Sequence, residues 1–414
     1  MSTAALRKGW CPTLLSPMES GDGWLTRVKP SAAKLSASQA RIIADAARRY
    51  GNSQIDLTSR GNLQIRGLSP RSAEQFADII ISHGLASEHP SVEAIRNVMA
   101  SPLGPDDPTA TFDSHALAVE IEAMLAGESA LEALPPKFGV LVDGGGALPL
   151  SDVTSDIMVR ACNGRLAIQL DGGTHAAFCS PVAAANIVMS LALAFLHLSW
   201  ERREPRMREL VMILGDDAIF TAAGLASIVA PSADRSNARS PIGFIPGSDK
   251  GFFGVGLAFG RIDVETLASL ADLSERFCDG SLRTTPWRAL VLVGVAPSET
   301  EALSRQACDL GLITEDADAR LSIHACVGRG ACPNASVDTR RDANRFATAM
   351  PGLTLHVSGC VKGCAHRGPT SFTLVGNNGR YDLVRDGSAG DAPSLTGLSF
   401  DEALTVIEQE AATS

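Results

Sequence analysis

A duplicated unit limits what this chain can fold into more than any other feature of its sequence. LSASQARIIADAARRYGN (Leu35 to Asn52) matches IDVETLASLADLSERFCD (Ile262 to Asp279), with Ala44-Asp45 on Ala271-Asp272 and Arg49-Tyr50 on Arg276-Phe277. Both stretches read as amphipathic helices. Each precedes a strand-like run, QIDLTSRGNLQIRGL or SLRTTPWRALVLVGV, and follows an extended segment, SGDGWLTRVKP or GSDKGFFGVGLAF. A second pair keeps the same order. NGRLAIQLDGG (163–173) falls on NGRYDLVRDGS (378–388), and the same offset puts Gly144 on Gly359 and Gly145 on Cys360. Two copies of one α/β unit are expected, roughly residues 7–200 and 238–414. The charged segment ERREPRMREL and the polar stretch PSADRSNARSP would link them.

The 414 residues are 45% hydrophobic and 20% charged, which suits a globular chain of several domains. A net charge of −10 argues against nucleic acid and against an anionic membrane as partners. The start MSTAALRKGW has no apolar run of the secretory kind, and the longest apolar stretch, 187–200, reads as a buried helix. A cytoplasmic location is expected. Nine cysteines, an odd number, then point to metal binding or free thiols rather than to a disulfide framework.

Four of these cysteines form a set. Cys326 and Cys332 make C-x5-C, and after 27 intervening residues Cys360 and Cys364 make C-x3-C. Only the second copy carries the last pair, since the first has Gly145 and Pro149 there. Four thiolates suit zinc or an iron–sulfur cluster. The five-residue spacing favours the cluster, with zinc and inert buried thiols as the alternatives. A glycine before each of Cys360 and Cys364 lets the backbone turn and approach a bulky group. Amides in such a turn can face the cluster's negative sulfides. The other cysteines (Cys11, Cys162, Cys179, Cys278 and Cys308) lack partner spacing.

DLTSRGNLQIR reads as one strand with Asp56, Thr58, Arg60, Asn62, Gln64 and Arg66 on one face. That face is either solvated or lines a site for a polyanion, since arginine grips carboxylates through paired hydrogen bonds. Arg96 and Lys137 are further candidates. The G-x-G in GFFGVGLAFG lacks the βαβ context of a dinucleotide loop. Electrons are therefore expected from a separate reductase.

The duplicated unit and the cysteine pattern together resemble the sulfite and nitrite reductase family, in the branch that serves aerobic cobalamin biosynthesis. GWCPTLLSPMESGDGWL, LTSRGNLQIRG, RNVMASPLG, LPPKF, LRTTPWRALVL, CVGRGACPNA and SGCVKGCAHRGP carry the likeness. It implies an α/β (α+β) fold with two ferredoxin-like half-domains, residues 7–70 and 238–300. Two larger α/β lobes would cover 90–230 and 308–414, the latter holding the cluster. It implies a 4Fe–4S cluster on Cys326, Cys332, Cys360 and Cys364, and a monooxygenase acting on the tetrapyrrole precorrin-3A with O2. Substrate would lie where the reductases hold sirohaem, gripped by Arg60, Arg66, Arg96 and Lys137. The likeness also implies a mononuclear non-haem iron whose ligands the sequence does not reveal. His366 is the first catalytic candidate and His324 the second. Electrons would come ultimately from NADH through a donor protein. The alternative is a sirohaem-dependent sulfite or nitrite reductase. Those enzymes commonly carry a second anion-holding lysine two residues after the first, where this chain has Gly139.

Overall fold

The capping residues explain where the two matched helices begin. Ser36 caps Ala37–Tyr50 with a full capping box to Gln39, and the Asp263 carboxylate caps Val264–Phe277 at the Thr266 amide. Each buries an alanine- or leucine-rich face, Ala40, Ile43, Ala44 and Ala47 in one and Leu267, Leu270 and Ala271 in the other. These residues share one core. Arg41–Asp272 (2.6 Å) and Arg48–Glu265 (2.7 Å) bridge the two helices at the surface. The computed structural model describes residues 11–162, 164–199, 206–230, 239–350 and 352–412. Parts of both linker stretches (201–205 and 231–238) lie outside the described residues, as does the start of the GWCPTLL motif.

Each helix backs a five-stranded antiparallel sheet. The first sheet runs Met18–Ser20, Gly23–Val28, Leu63–Leu68, Gln54–Leu57 and then Arg261–Asp263. The second runs Gly243–Ile245, Gly251–Gly256, Ala289–Val295, Ser281–Thr284 and then Lys34–Ser36. The last strand of each sheet comes from the other copy, with Ile262 opposite Ile55 and Leu35 opposite Leu282. The two half-domains thus exchange a strand. The exchanged strands follow matched tight turns, with Ala32 at φ 49° and Phe259 at φ 55°. Helix Pro70–Ser82, which begins where the first half-domain was expected to end, buries Phe76 and Ile80 in the same core.

The lobes also match. In the first, Val98–Ala100, Val140–Asp143 and Ile157–Cys162 run parallel, and Arg165–Leu170, His175–Cys179 and Ile228–Val229 continue antiparallel. In the second, Ile323–Ala325, Leu355–Ser358 and Thr370–Asn377 run parallel, followed by antiparallel Arg380–Gly387 and Leu395–Leu398. Helix Pro181–Ser199 is long and apolar enough to cross a membrane. Its Ala184, Val188, Leu191 and Phe195 are instead buried in the first lobe's core. Met207–Leu214 packs there too, and Arg206 pairs with the buried Asp156 at 2.9 Å. The described part of the expected charged linker, 206–210, is therefore lobe wall.

One strand expectation fails. DLTSRGNLQIR is a hairpin, Gln54–Leu57 and Leu63–Leu68, whose turn is closed by Thr58 N to Asn62 O (2.9 Å). Gly61 takes φ 70° at the tip, a conformation that favours glycine. The turn breaks the assumed alternation, so Arg60 and Arg66 do not share a strand face.

Candidate active site

Parallel pairing delivers two of the four cysteines to one sheet edge. Strands Ile323–Ala325 and Leu355–Ser358 are neighbours in register, and their carboxyl ends lead directly into Cys326 and Gly359-Cys360. The Gly359 amide donates to Cys326 Sγ at 3.1 Å. A Cβ on Gly359 would lie 2.6 Å from Ala335 Cβ and 3.2 Å from that sulfur, so no side chain fits. Gly363 takes φ 57° in the following turn. The Thr339 hydroxyl donates to the Cys326 carbonyl at 2.6 Å and fixes the first strand's end. Burial raises the Cys360 thiol's pKa. It also raises that of Cys364, where charge on Cys360, Cys326 and Cys332 adds to the shift. Cys364 therefore feels the other three cysteines, and Cys360 feels Cys326 and Cys332. Cys364 is exposed and the other three are half-buried. Among the described residues, no three His, Cys, Asp or Glu side chains converge on a single-ion site.

A cleft lies on the first-copy side. Lys29, Arg60, Arg96, Asn97, Glu122, Ser155 and Thr284 line it, around a narrow space of about 20 Å3. Arg60 reaches it from the hairpin tip and donates to the Lys137 carbonyl at 3.3 Å, so the hairpin and the LPPKF segment meet here. Burial and the nearby Arg206 pull the Arg60 pKa down. Arg96 pairs with the fully buried Glu93 (3.0 Å) and donates to the Lys29 and Leu85 carbonyls. Lys29 was not singled out in the sequence. Its Nζ donates to the Glu93 carbonyl at 2.6 Å, and burial lowers its pKa to about 8 against the charge of Glu93. Burial raises the Glu122 carboxyl's pKa, opposed by Arg96.

Arg66 stands apart from this cleft. It is 2% exposed, and its guanidinium holds Asp22 (2.8 and 2.9 Å), Ser20 Oγ (2.9 Å) and the Ala331 carbonyl (2.6 Å). Ser20 Oγ and the Gly21 amide donate to the same carbonyl, next to Cys332. Beside Arg66, Asp56 receives Arg261 and Arg340, each at 2.9 Å. The hairpin stem therefore clamps the cysteine loop, while the hairpin tip enters the cleft.

The structure brings His366 and His324 together and adds His356. The His324 and His366 rings stack at 4.1 Å, and His356 meets His366 edge-on at 6.0 Å. Burial lowers the His324 pKa to about 3, with Arg288 adding to the effect, and lowers that of His356 to about 4. Both are neutral imidazoles near pH 7. No His-x-His or His-x3-His spacing marks this group in the sequence; strand pairing creates it.

Comparison with known proteins agrees with this architecture. The Nitrite/Sulfite reductase ferredoxin-like half domain matches residues 16–83 and 245–308. A precorrin-3B synthase from Sinorhizobium sp. is 32% identical, over 95% of this chain and 86% of its own length. The chain belongs to the precorrin-3B synthase branch of the nitrite/sulfite reductase family. A ferredoxin–nitrite reductase from Synechococcus elongatus is 24% identical over 97% of this chain and 88% of its own. The NirA protein of Mycobacterium tuberculosis shares the fold, with TM-score 0.77 at 18% identity over 94% of this chain and 80% of its own. Membership of this family fits an iron–sulfur cluster.

Proposed function

We propose that this chain is the monooxygenase that converts precorrin-3A to precorrin-3B. In that reaction the macrocycle gains a hydroxyl at C-20 and a lactone closes from the ring-A acetate. One oxygen atom of O2 enters the product and the other leaves as water, with two electrons and two protons supplied. The observation that carries this reading is the cleft. Lys29, Arg60 and Arg96 gather there with the carboxyls of Glu122 and Glu93, and Arg60 lies on a hairpin whose stem touches the cysteine loop.

Precorrin-3A carries many carboxylates. Arg60, at the hairpin tip, would take one of them. Arg96 and Lys137 flank it, and Lys29 contributes charge below pH about 8. Arg66 serves a different end, holding the loop that carries Cys332. Cys326, Cys332, Cys360 and Cys364 would hold the 4Fe–4S cluster, with the Gly359 amide against the first sulfur. When bound, the cluster supplies one-electron transfer and a mononuclear non-haem iron supplies a place for O2. Electrons would come ultimately from NADH through a separate donor protein. Half-buried Cys326, Cys332 and Cys360 keep most of that path out of water.

A sirohaem-dependent reductase is disfavoured at one position. A Cβ on Gly139 would lie 2.8 Å from Ser155 Oγ, 3.2 Å from the Asn97 carbonyl and 3.4 Å from Arg60 Nη1. A second anion-holding lysine beside Arg60 would need Ser155 and the Asn97 carbonyl to shift. Protein purified without air should show iron–sulfur absorption without a haem band, and should convert precorrin-3A to a product one oxygen atom heavier when O2 and reductant are added. A sirohaem spectrum with sulfite or nitrite turnover would overturn the proposal.

A further inference from the structure

Two polar side chains beside the cysteine loop are buried with hydrogen-bonding capacity to spare. The Ser336 hydroxyl oxygen and Arg340 Nε and Nη1 are shut off from solvent, and none of them has a hydrogen-bond partner among the described residues. Both residues belong to the segment that closes the loop. Ala335 N donates to the Cys332 carbonyl (3.1 Å), Arg329 N to the Val337 carbonyl (2.8 Å), and Thr339 Oγ to the Cys326 carbonyl (2.6 Å). Ala335, next to Ser336, also meets the other cysteine turn. A Cβ built on Gly359 would sit 2.6 Å from Ala335 Cβ and 3.2 Å from Cys326 Sγ. The segment therefore runs against the cysteine set itself.

The carboxylates nearby are already taken. Arg340 Nη2 donates to Asp56 at 2.9 Å, but Asp56 also receives Arg261 (2.9 Å) and lies 3.8 Å from Arg66, so it answers only one edge of the Arg340 guanidinium. The acids of the same helix turn elsewhere. Asp338 and Asp342 lie 3.9 and 3.4 Å from Arg341, and Asp342 accepts from the Tyr381 hydroxyl at 2.6 Å. A buried donor left without an acceptor costs free energy, and folded chains rarely keep one without use. Thiolates, and the sulfides of a cluster bound to them, are anionic acceptors. Hydrogen bonds to those sulfurs are among the levers that set a cluster's reduction potential.

We infer that Ser336 and Arg340 donate to sulfur atoms of the group held by the four cysteines and so hold its reduction potential up. The inference rests on reading those cysteines as an iron–sulfur site, and it adds two residues that do not bind iron. Uptake of one electron adds one negative charge to the cluster. Donors and a cation beside its sulfurs then stabilise the reduced form more than the oxidised one, and burial strengthens the effect. Arg340 places this control at the interface with the first half-domain, since its partner Asp56 stands in the stem of the hairpin that carries Arg60.

The test is a potentiometric titration of the full chain, purified without air with its cluster in place and followed by the EPR signal of the reduced cluster. Ser336→Ala removes the hydroxyl and little volume. Arg340→Met removes the guanidinium and keeps most of the side chain's length. Each should lower the midpoint potential by the equivalent of a roughly threefold to tenfold drop in the reduction equilibrium, tenfold being about 59 mV for one electron. Iron and sulfide content should stay at the wild-type level. Arg261→Gln is the control, because it takes a cation from the same Asp56 without removing an unpartnered donor. It should move the midpoint less than Arg340→Met does. Ser336→Ala decides the matter if Arg340→Met does not keep its cluster. An unchanged midpoint in either variant with its cluster intact, or a shift in Arg261→Gln as large as that in Arg340→Met, overturns the inference. Failure of the iron–sulfur reading looks different, since wild type would then give no reduced-cluster signal to titrate.

Discussion

The two lobes share a strand order and differ in what fills one turn. Aligning Val98–Ala100 with Ile323–Ala325, and the helix start Ser114 with Thr339, puts Ser101 on Cys326 and Asp107 on Cys332. Gly145 and Pro149 stand opposite Cys360 and Cys364. In the first lobe the turn's amides meet protein oxygens. Gly144 N donates to Ser101 Oγ (2.8 Å), Gly145 N and Leu150 N to the Asp143 carboxylate (3.0 Å each), and Ala147 N to Asp107 (2.6 Å). In the second lobe the amide matching that of Gly144, Gly359 N, donates to the Cys326 sulfur. One scaffold thus closes on its own carboxylates in one copy and presents four thiols in the other. The comparison teaches that the turn's amides take a side-chain acceptor in both copies, oxygen in the first and sulfur in the second.

The largest expected effect comes from breaking the second turn. Cys360→Ser should abolish the cluster absorption and lower the melting temperature of the C-terminal lobe, because metal binding is part of that lobe's folding free energy. The matching change in the first copy is milder. Asp107→Ala leaves the buried Ala147 amide unpaired and should cost about 1–3 kcal/mol by urea unfolding, with iron and sulfide content unchanged. Equal iron loss in both variants would break the contrast.

The cleft side gives smaller effects. Arg60→Ala should weaken substrate binding by about 1.5–3 kcal/mol, roughly tenfold to a hundredfold, with the cluster spectrum intact. If affinity is unchanged, the hairpin tip is merely wet. Arg66→Met acts in the other direction: it should leave affinity near wild type and raise hydrogen exchange in the Cys332 loop, which loses its clamp at Ala331.

The smallest effect is on pH dependence. The Lys29 pKa falls from 10.5 to about 8 on burial. Above pH 8 the folded chain sheds this proton before the unfolded one does, so between about 8 and 10.5 this group's contribution to stability rises with pH. Substrate binding moves the opposite way, because the cleft loses a cation. Affinity for the polycarboxylate should fall as pH rises through about 8, and Lys29→Arg should flatten that step. A step of equal size in Lys29→Arg would remove Lys29 from the account.

Much of this was legible in the sequence, for identifiable reasons. The helices at Ala37 and Val264 announced themselves through matched apolar faces. The four cysteines announced themselves by type and spacing. The strand exchange between half-domains left no trace, because pairing between distant segments has no local pattern. Ser101 and Asp107 escaped notice because neither keeps the thiol that marks its counterpart. Arg66 was read as facing substrate because the alternation was carried through Thr58–Asn62, although Gly61 and Asn62 are the residues that a tight turn prefers. His356 was invisible because it meets His324 only across a parallel strand pair.

EPR spectroscopy of the dithionite-reduced protein, purified without air and assayed for iron, sulfide and zinc, tests the central claim most directly. The account predicts a reducible 4Fe–4S signal that disappears when Cys326, Cys332, Cys360 and Cys364 are changed together to serine, with the first lobe's fold retained. Stoichiometric zinc, or an unchanged signal in the serine variant, would contradict it.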